Sequence, residues 1–115
     1  MELEGKDVVI VGLARSGVAA AQLCARHGAR VVATDRKGQG ELPPEVMDLK
    51  KQGVRLELGG HRMETFTGAS MIVVSPGVPS TMPELQAAHA AGVPVVAELE
   101  LGYRLLKGRV AAITG

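Results

Sequence analysis

Apolar residues in this chain fall into short dense runs, separated by segments where they recur at every third or fourth position. The first run, Val8-Val9-Ile10-Val11, is continuous and β-branched, as expected of a strand buried on both faces of a parallel sheet. The turn Gly12-Leu13-Ala14-Arg15-Ser16-Gly17 follows it directly. An Ala-rich segment then predicts a helix from about Ser16 to His27, stopped by Gly28. A second strand, Arg30 to Thr34, runs into Asp35-Arg36-Lys37. Pro43-Pro44 opens a helix to about Gln52, with Val46 and Leu49 facing inward and Gly53 as its stop. Val54 to Leu58 alternates apolar residues with Arg55 and Glu57, the pattern of an edge strand with one wetter face. Gly59 to Gly68 reads as a polar connection with one helical turn around Met63 to Phe66. Met71 to Val74 is again wholly apolar and leads into Ser75-Pro76-Gly77-Val78-Pro79. Thr81 and Glu84 have the spacing of a capping box for a helix from Met82 to Ala91. A strand at Pro94 to Ala97, a helix from Glu98 to Lys107 and an apolar strand at Val110 to Ile113 complete the chain.

Strands alternating with helices predict an α/β fold: a Rossmann-like, doubly wound parallel sheet of about five strands in three α/β/α layers. Such sheets hold ligands beyond the carboxyl ends of their strands, where strand order reverses. Three turns, Gly12 to Gly17, Asp35 to Lys37 and Ser75 to Gly77, all follow strands and are expected to line one crevice.

At 115 residues the chain is expected to form one domain. Aromatics are only 2% of residues, so the core must consist of Val, Leu, Ile, Ala and Met. The net charge of +1 comes without a basic run, which disfavours nucleic acid as a partner. No segment is apolar enough over sufficient length to insert in a membrane. A cytoplasmic setting is therefore expected, and a lone cysteine, which cannot form an internal disulfide, agrees with it.

The chemistry concentrates at Gly12 to Gly17. A strand, a small-residue turn and a helix start in succession gather backbone N–H groups and a helix dipole, which suits a phosphate or diphosphate. The dinucleotide fingerprint asks for small residues where Gly12, Ala14 and Gly17 stand. Asp35 follows Gly12 by about 23 residues, where an acid reaches a sugar or base. Arg36 and Lys37 can meet a phosphate, and Ser75 and Gly77 flank the same crevice. Cys24 reads as a packed small hydrophobe. His27, His61 and His89 lack metal-ligand spacing and read as structural or surface residues. No nucleophile–base pair and no opposed carboxylates occur, so the catalytic and metal residue sets are empty. Three readings of the crevice remain open on these residues: a nucleotide-substrate site, an NAD(P)-binding or regulatory Rossmann module, or a tight strand-to-helix turn in a domain that binds nothing tightly by itself.

The ordered set Val8–Gly17, Ala33-Thr34-Asp35-Arg36, Val74–Pro79 and Glu98-Leu99-Glu100-Leu101 closely resembles the N-terminal domain of the D-glutamate-adding ligases of the Mur ligase family. The resemblance covers essentially the whole chain. It implies a role in peptidoglycan precursor synthesis, in which this domain holds the UDP part of UDP-N-acetylmuramoyl-L-alanine. By position, the backbone of Gly12, Ala14 and Gly17 with Arg15 and Ser16 meets the diphosphate. Asp35 with Arg36 beside it meets the uracil, and Ser75 and Gly77 line the substrate. The family commonly has Gly where this chain has Ala14. The resemblance also implies that ATP, magnesium and D-glutamate are handled by further domains, so that residues 1–115 are inactive alone and need no cofactor of their own. It divides the chain into a UDP-substrate domain over residues 1–108 and, over 109–115, the first strand of an ATP-binding domain.

Overall fold

A computed structural model describes residues 3–105. Strand β1 (Asp7–Val11) leads through a tight turn into α1 (Arg15–Arg26), then β2 (Arg30–Asp35). A short 3-10 turn at Gln39–Glu41 precedes α2 (Glu45–Asp48), which tightens into a second 3-10 turn at Leu49–Gln52. There follow β3 (Arg55–Leu58), α3 (Met63–Thr67), β4 (Met71–Val74), α4 (Pro83–Ala90) and β5 (Val95–Ala97). Residues 98–105 are helical and form α5. The expected strand over 109–115 lies outside the described residues.

All five strands are parallel, in the order β3-β2-β1-β4-β5. The chain therefore starts in the middle of the sheet, winds out to one edge and returns to build the other half. Strand order reverses between β1 and β4. Alternation along the central strands divides the core between two faces. Val8, Ile10, Met71 and Val73 pack with Val18, Ala21, Cys24, Leu49, Leu101 and Leu105, beneath α1, the α2 segment and α5. Val9, Val11 and Ile72 pack with Phe66, Leu85, Ala88 and Val93, beneath α3 and α4. Helices thus cover both faces, as the continuous apolar runs of β1 and β4 require.

Cys24 is fully buried on the inner face of α1. Burial pushes its thiol up to about 11 from the usual 9.0. Its folded-state value is raised, so the native protein keeps its proton through pH 9, and the stability this represents is lost as pH climbs from 9 toward 11. The expected outcome is that 5,5′-dithiobis(2-nitrobenzoate) at pH 8 modifies the native thiol at least tenfold more slowly than the urea-unfolded one. Equal rates would mean that α1 does not stay packed on the sheet.

Local chemistry departs from expectation in three places. The helix expected from Pro43 to Gln52 changes from α to 3-10 pitch at Leu49, while Val46 and Leu49 are inward as expected. Gly53, at φ 84°, ends it. The Thr81–Glu84 capping box does not form. Pro83 is already in the first turn, which puts Met82 at the cap and Thr81 one residue outside, and no side chain caps the helix. Finally, β3 is an edge strand, but Glu57 is not on a wet face. Its side chain is only 8% exposed and its carboxylate accepts the Thr65 hydroxyl at 2.8 Å and 3.0 Å, with the Arg55 guanidinium at 3.4 Å. Helix α3 covers what the alternation alone marks as solvent.

Candidate functional site

The first residue after β1 is Gly12, whose N–H still donates to Thr34 of β2 at 2.9 Å. The chain then reverses with Gly12 at φ 95°, a conformation that side-chain-bearing residues rarely adopt. Helix α1 begins at Arg15, one residue earlier than expected, with Ala14 at the cap position. Alanine has no side-chain acceptor. No side chain caps this helix and no acidic residue stands in its first turn. The N–H groups of its first turn therefore remain open to an external anion.

Gly17 lies one turn into α1 and packs directly on the Gly12 carbonyl. It is buried behind the turn and is not part of the crevice wall. It lets the helix start lie against the strand end, which aims the first-turn N–H groups outward.

Asp35, the last residue of β2, crosses to this turn. Its Oδ2 accepts the Leu13 N–H at 2.8 Å, and its Oδ1 accepts the Lys37 N–H at 2.8 Å. One carboxylate thus fixes the turn after β1 and the turn after β2 relative to each other. Each of its oxygens retains a second lone pair for a ligand.

Ser75 closes the other side. Its backbone N–H donates to Val11 at 3.1 Å. Its hydroxyl lies 3.2 Å from the Gly12 carbonyl and 2.8 Å from Oε2 of Glu98 at the start of α5, and donates its one proton to the nearer, charged acceptor. The turn after β4 and the helix after β5 are joined here.

These turns enclose a crevice of about 830 Å³ at the carboxyl ends of the strands, over the β1–β4 reversal. That volume is in the range of small-molecule sites. Gly12, Ala14, Arg15, Ser16, Asp35, Arg36, Ser75 and Gly77, all expected from sequence, line it. Arg15, Arg36 and Lys37 contribute positive charge and enter no ion pair among the described residues. Leu42, Pro43, Val78, Pro79 and Met82 supply apolar wall. His61 also lines the crevice, although its sequence context marks it as structural or surface. The signal that could have found it is its position after β3: that turn, too, lies at a strand's carboxyl end.

Fold and crevice together define a class: a Rossmann-type α/β domain with an open site at its topological switch point. Comparison with known proteins narrows this. The sequence profile of the "Mur ligase MurD-like, N-terminal domain" family matches residues 6–97, and the chain belongs to that family. It is 53% identical to UDP-N-acetylmuramoylalanine--D-glutamate ligase of Anaeromyxobacter dehalogenans over 115 residues, 99% of this chain and 25% of the relative. It is 46% identical to the protein of the same name from Desulfatibacillum aliphaticivorans, over all of this chain and 26% of the relative. The chain thus spans about a quarter of the length of the curated relatives it matches.

Among solved structures, the fold matches a pseudomurein peptide ligase type C from Methanothermus fervidus with a TM-score of 0.67 at 18% identity, covering 84% of this chain and 20% of that one. It also matches a murein peptide ligase from Psychrobacter arcticus, with a TM-score of 0.68 at 20% identity, over 79% of this chain and 18% of that one. A shikimate dehydrogenase from Aquifex aeolicus shares the fold at a TM-score of 0.57 and 15% identity, over 85% of this chain and 44% of that one. The architecture therefore does not choose the ligand; the site residues must.

Proposed function

We propose that this chain is the substrate-seating part of an ATP-dependent UDP-N-acetylmuramoyl-L-alanine–D-glutamate ligase and that its crevice holds the uridine diphosphate of that substrate. The observation that carries this is the uncapped start of α1, opening on the same crevice as Asp35. The diphosphate sits against the first-turn N–H groups of α1, with Arg15 and Ser16 beside it. The uracil sits at the Asp35 end, where a carboxylate oxygen accepts its imide N–H, and Arg36 lies alongside. Ser75 and Gly77 line the path toward the sugar. In this role the domain binds and orients; it moves no proton and breaks no bond.

ATP and magnesium supply carboxylate activation in the whole ligase, and D-glutamate is the amine that attacks the activated acyl group. The described residues offer no converging ligand set for a metal ion: no three His, Cys, Asp or Glu side chains meet among them. That chemistry belongs to the other three quarters of the relatives' length.

The test is a titration of the 115-residue chain with UDP, and separately with NAD, followed through backbone amide shifts. Shifts at Gly12–Gly17, Asp35–Lys37 and Ser75–Gly77 with UDP, and weaker or none with NAD, are expected. The same shifts with NAD and none with UDP would identify a dinucleotide module instead. Silence with UDP at 10 mM (a concentration set on the order of a millimolar dissociation constant) would overturn the uridine assignment.

A further inference from the structure

We infer that His61 is the second base-reading residue of the crevice, acting with Asp35 to select uracil; this rests on the uridine reading above. The loop that carries His61 is tied to the end of β2. The N–H of Gly59 donates to the carbonyls of Asp35 at 3.0 Å and Lys37 at 2.9 Å, and the N–H of Gly60 donates to Asp35 at 3.3 Å. His61 is thereby held beside Asp35, although 26 residues separate them in sequence.

The ring itself is fixed from two further directions. Phe66, fully buried, packs edge-on against it with centroids 5.6 Å apart and planes at 75°. The hydroxyl of Thr34, the one polar residue buried in the core of the described chain, lies 2.8 Å from Nδ1. That hydroxyl lies 2.8 Å from Nδ1 and 3.4 Å from the Gly60 carbonyl, and its proton is assigned to the shorter contact. With Nδ1 accepting, the neutral ring carries its hydrogen on Nε2. Nε2 has no partner among the described residues, and no buried side-chain nitrogen or oxygen is left unpartnered. Nε2 therefore meets solvent, and His61 lines the crevice.

Asp35 and His61 line the same crevice, so one ligand can meet an acceptor, the Asp35 carboxylate, and a donor, His61 Nε2–H. The imide edge of uracil is the complement: an N3–H donor flanked by two carbonyl acceptors. Asp35 takes the N3–H and His61 donates to a flanking carbonyl. Cytosine offers a bare N3 to the carboxylate and an amino group to the imidazole N–H. Adenine repeats that mismatch with N1 and its 6-amino group. An unpaired polar group in a closed site is what makes such discrimination large. The Asp35–His61 pair therefore selects uridine nucleotides against cytidine nucleotides and against the adenine of a dinucleotide.

The experiment compares the chain with its His61→Phe variant, which keeps a ring against Phe66 and removes both nitrogens. Each is titrated with UDP, CDP and inorganic pyrophosphate, read by amide shifts. The wild-type chain is expected to prefer UDP over CDP by about tenfold or more. His61→Phe is expected to lose about tenfold in UDP affinity, to narrow the UDP-to-CDP preference to the part that Asp35 alone supplies, and to leave pyrophosphate unchanged. An unchanged UDP-to-CDP ratio in the variant, with wild-type UDP binding intact, would overturn the role of His61 alone. Failure of the wild-type chain to bind UDP would instead sink the uridine reading, and His61 with it. Independently of any variant, nitrogen-15 spectra of the imidazole are expected to show the Nε2–H tautomer; the Nδ1–H tautomer would refute the donor assignment.

Discussion

Replacing Gly17 by Ala is expected to destabilise the domain by about 3 kcal/mol, the upper end for an overpacked site. A Cβ at Gly17 would stand 1.9 Å from the Gly12 carbonyl oxygen and 2.9 Å from its carbon. Neither side can give way cheaply. Gly12 is pinned by its N–H bond to Thr34 and by its φ of 95°, with the Ser75 hydroxyl packed against it. Helix α1 is held by Val18, Ala20, Ala21 and Cys24, all buried against the sheet. Gly77→Ala is the matched control, since a Cβ there meets nothing within 4 Å, and a change within about 0.5 kcal/mol is expected. Urea unfolding of both variants at constant m-value checks this. A Gly17→Ala midpoint equal to that of the parent would show that the strand–helix approach is not rigid.

Asp35→Asn is expected to cost about 2 kcal/mol of stability and to reduce UDP affinity by more than tenfold. Both carboxylate oxygens accept backbone N–H groups, from Leu13 and Lys37. An amide can present oxygen to only one of them and must turn its NH₂ toward the other. Leu13 is fully buried, so its N–H has little recourse to water. The nearly isosteric change, which removes the negative charge, therefore splays the two turns and also places a donor where the uracil imide needs an acceptor. Urea midpoints and a UDP titration read the two effects separately. Full stability with lost binding would mean that the carboxylate serves the ligand alone, and full binding would remove Asp35 from the site.

The parts of this fold that were legible in the sequence are those where one local pattern decides. Val8–Val11 and Met71–Val74 are uninterrupted apolar runs because helices cover both faces of the sheet; β4 coincides with the second, and β1 holds the first with Asp7 added at its start. The crevice was legible because its main turns each follow a strand, and in a parallel sheet all those ends lie on one side. What escaped depends on packing between distant segments. Glu57 looks solvated by alternation, but the short α3 folds over it and Thr65 pairs with it. The Thr81–Glu84 spacing imitates a cap, yet Pro83 sets the helix start by its fixed φ. His61 escaped because its meaning comes from the β2–β3 pairing, which lays the end of β3 beside Asp35. Gly17 matched the fingerprint, but its work is steric, behind the turn.

A crystal structure of the chain bound to UDP would show directly where the nucleotide sits. The diphosphate is expected within hydrogen-bond distance of the first-turn N–H groups of α1, with Arg15 and Ser16 beside it. The uracil N3–H is expected on Asp35 and a uracil carbonyl on Nε2 of His61. A diphosphate seated over Arg36 and Lys37, with the base at the α1 turn, would contradict the proposed seating.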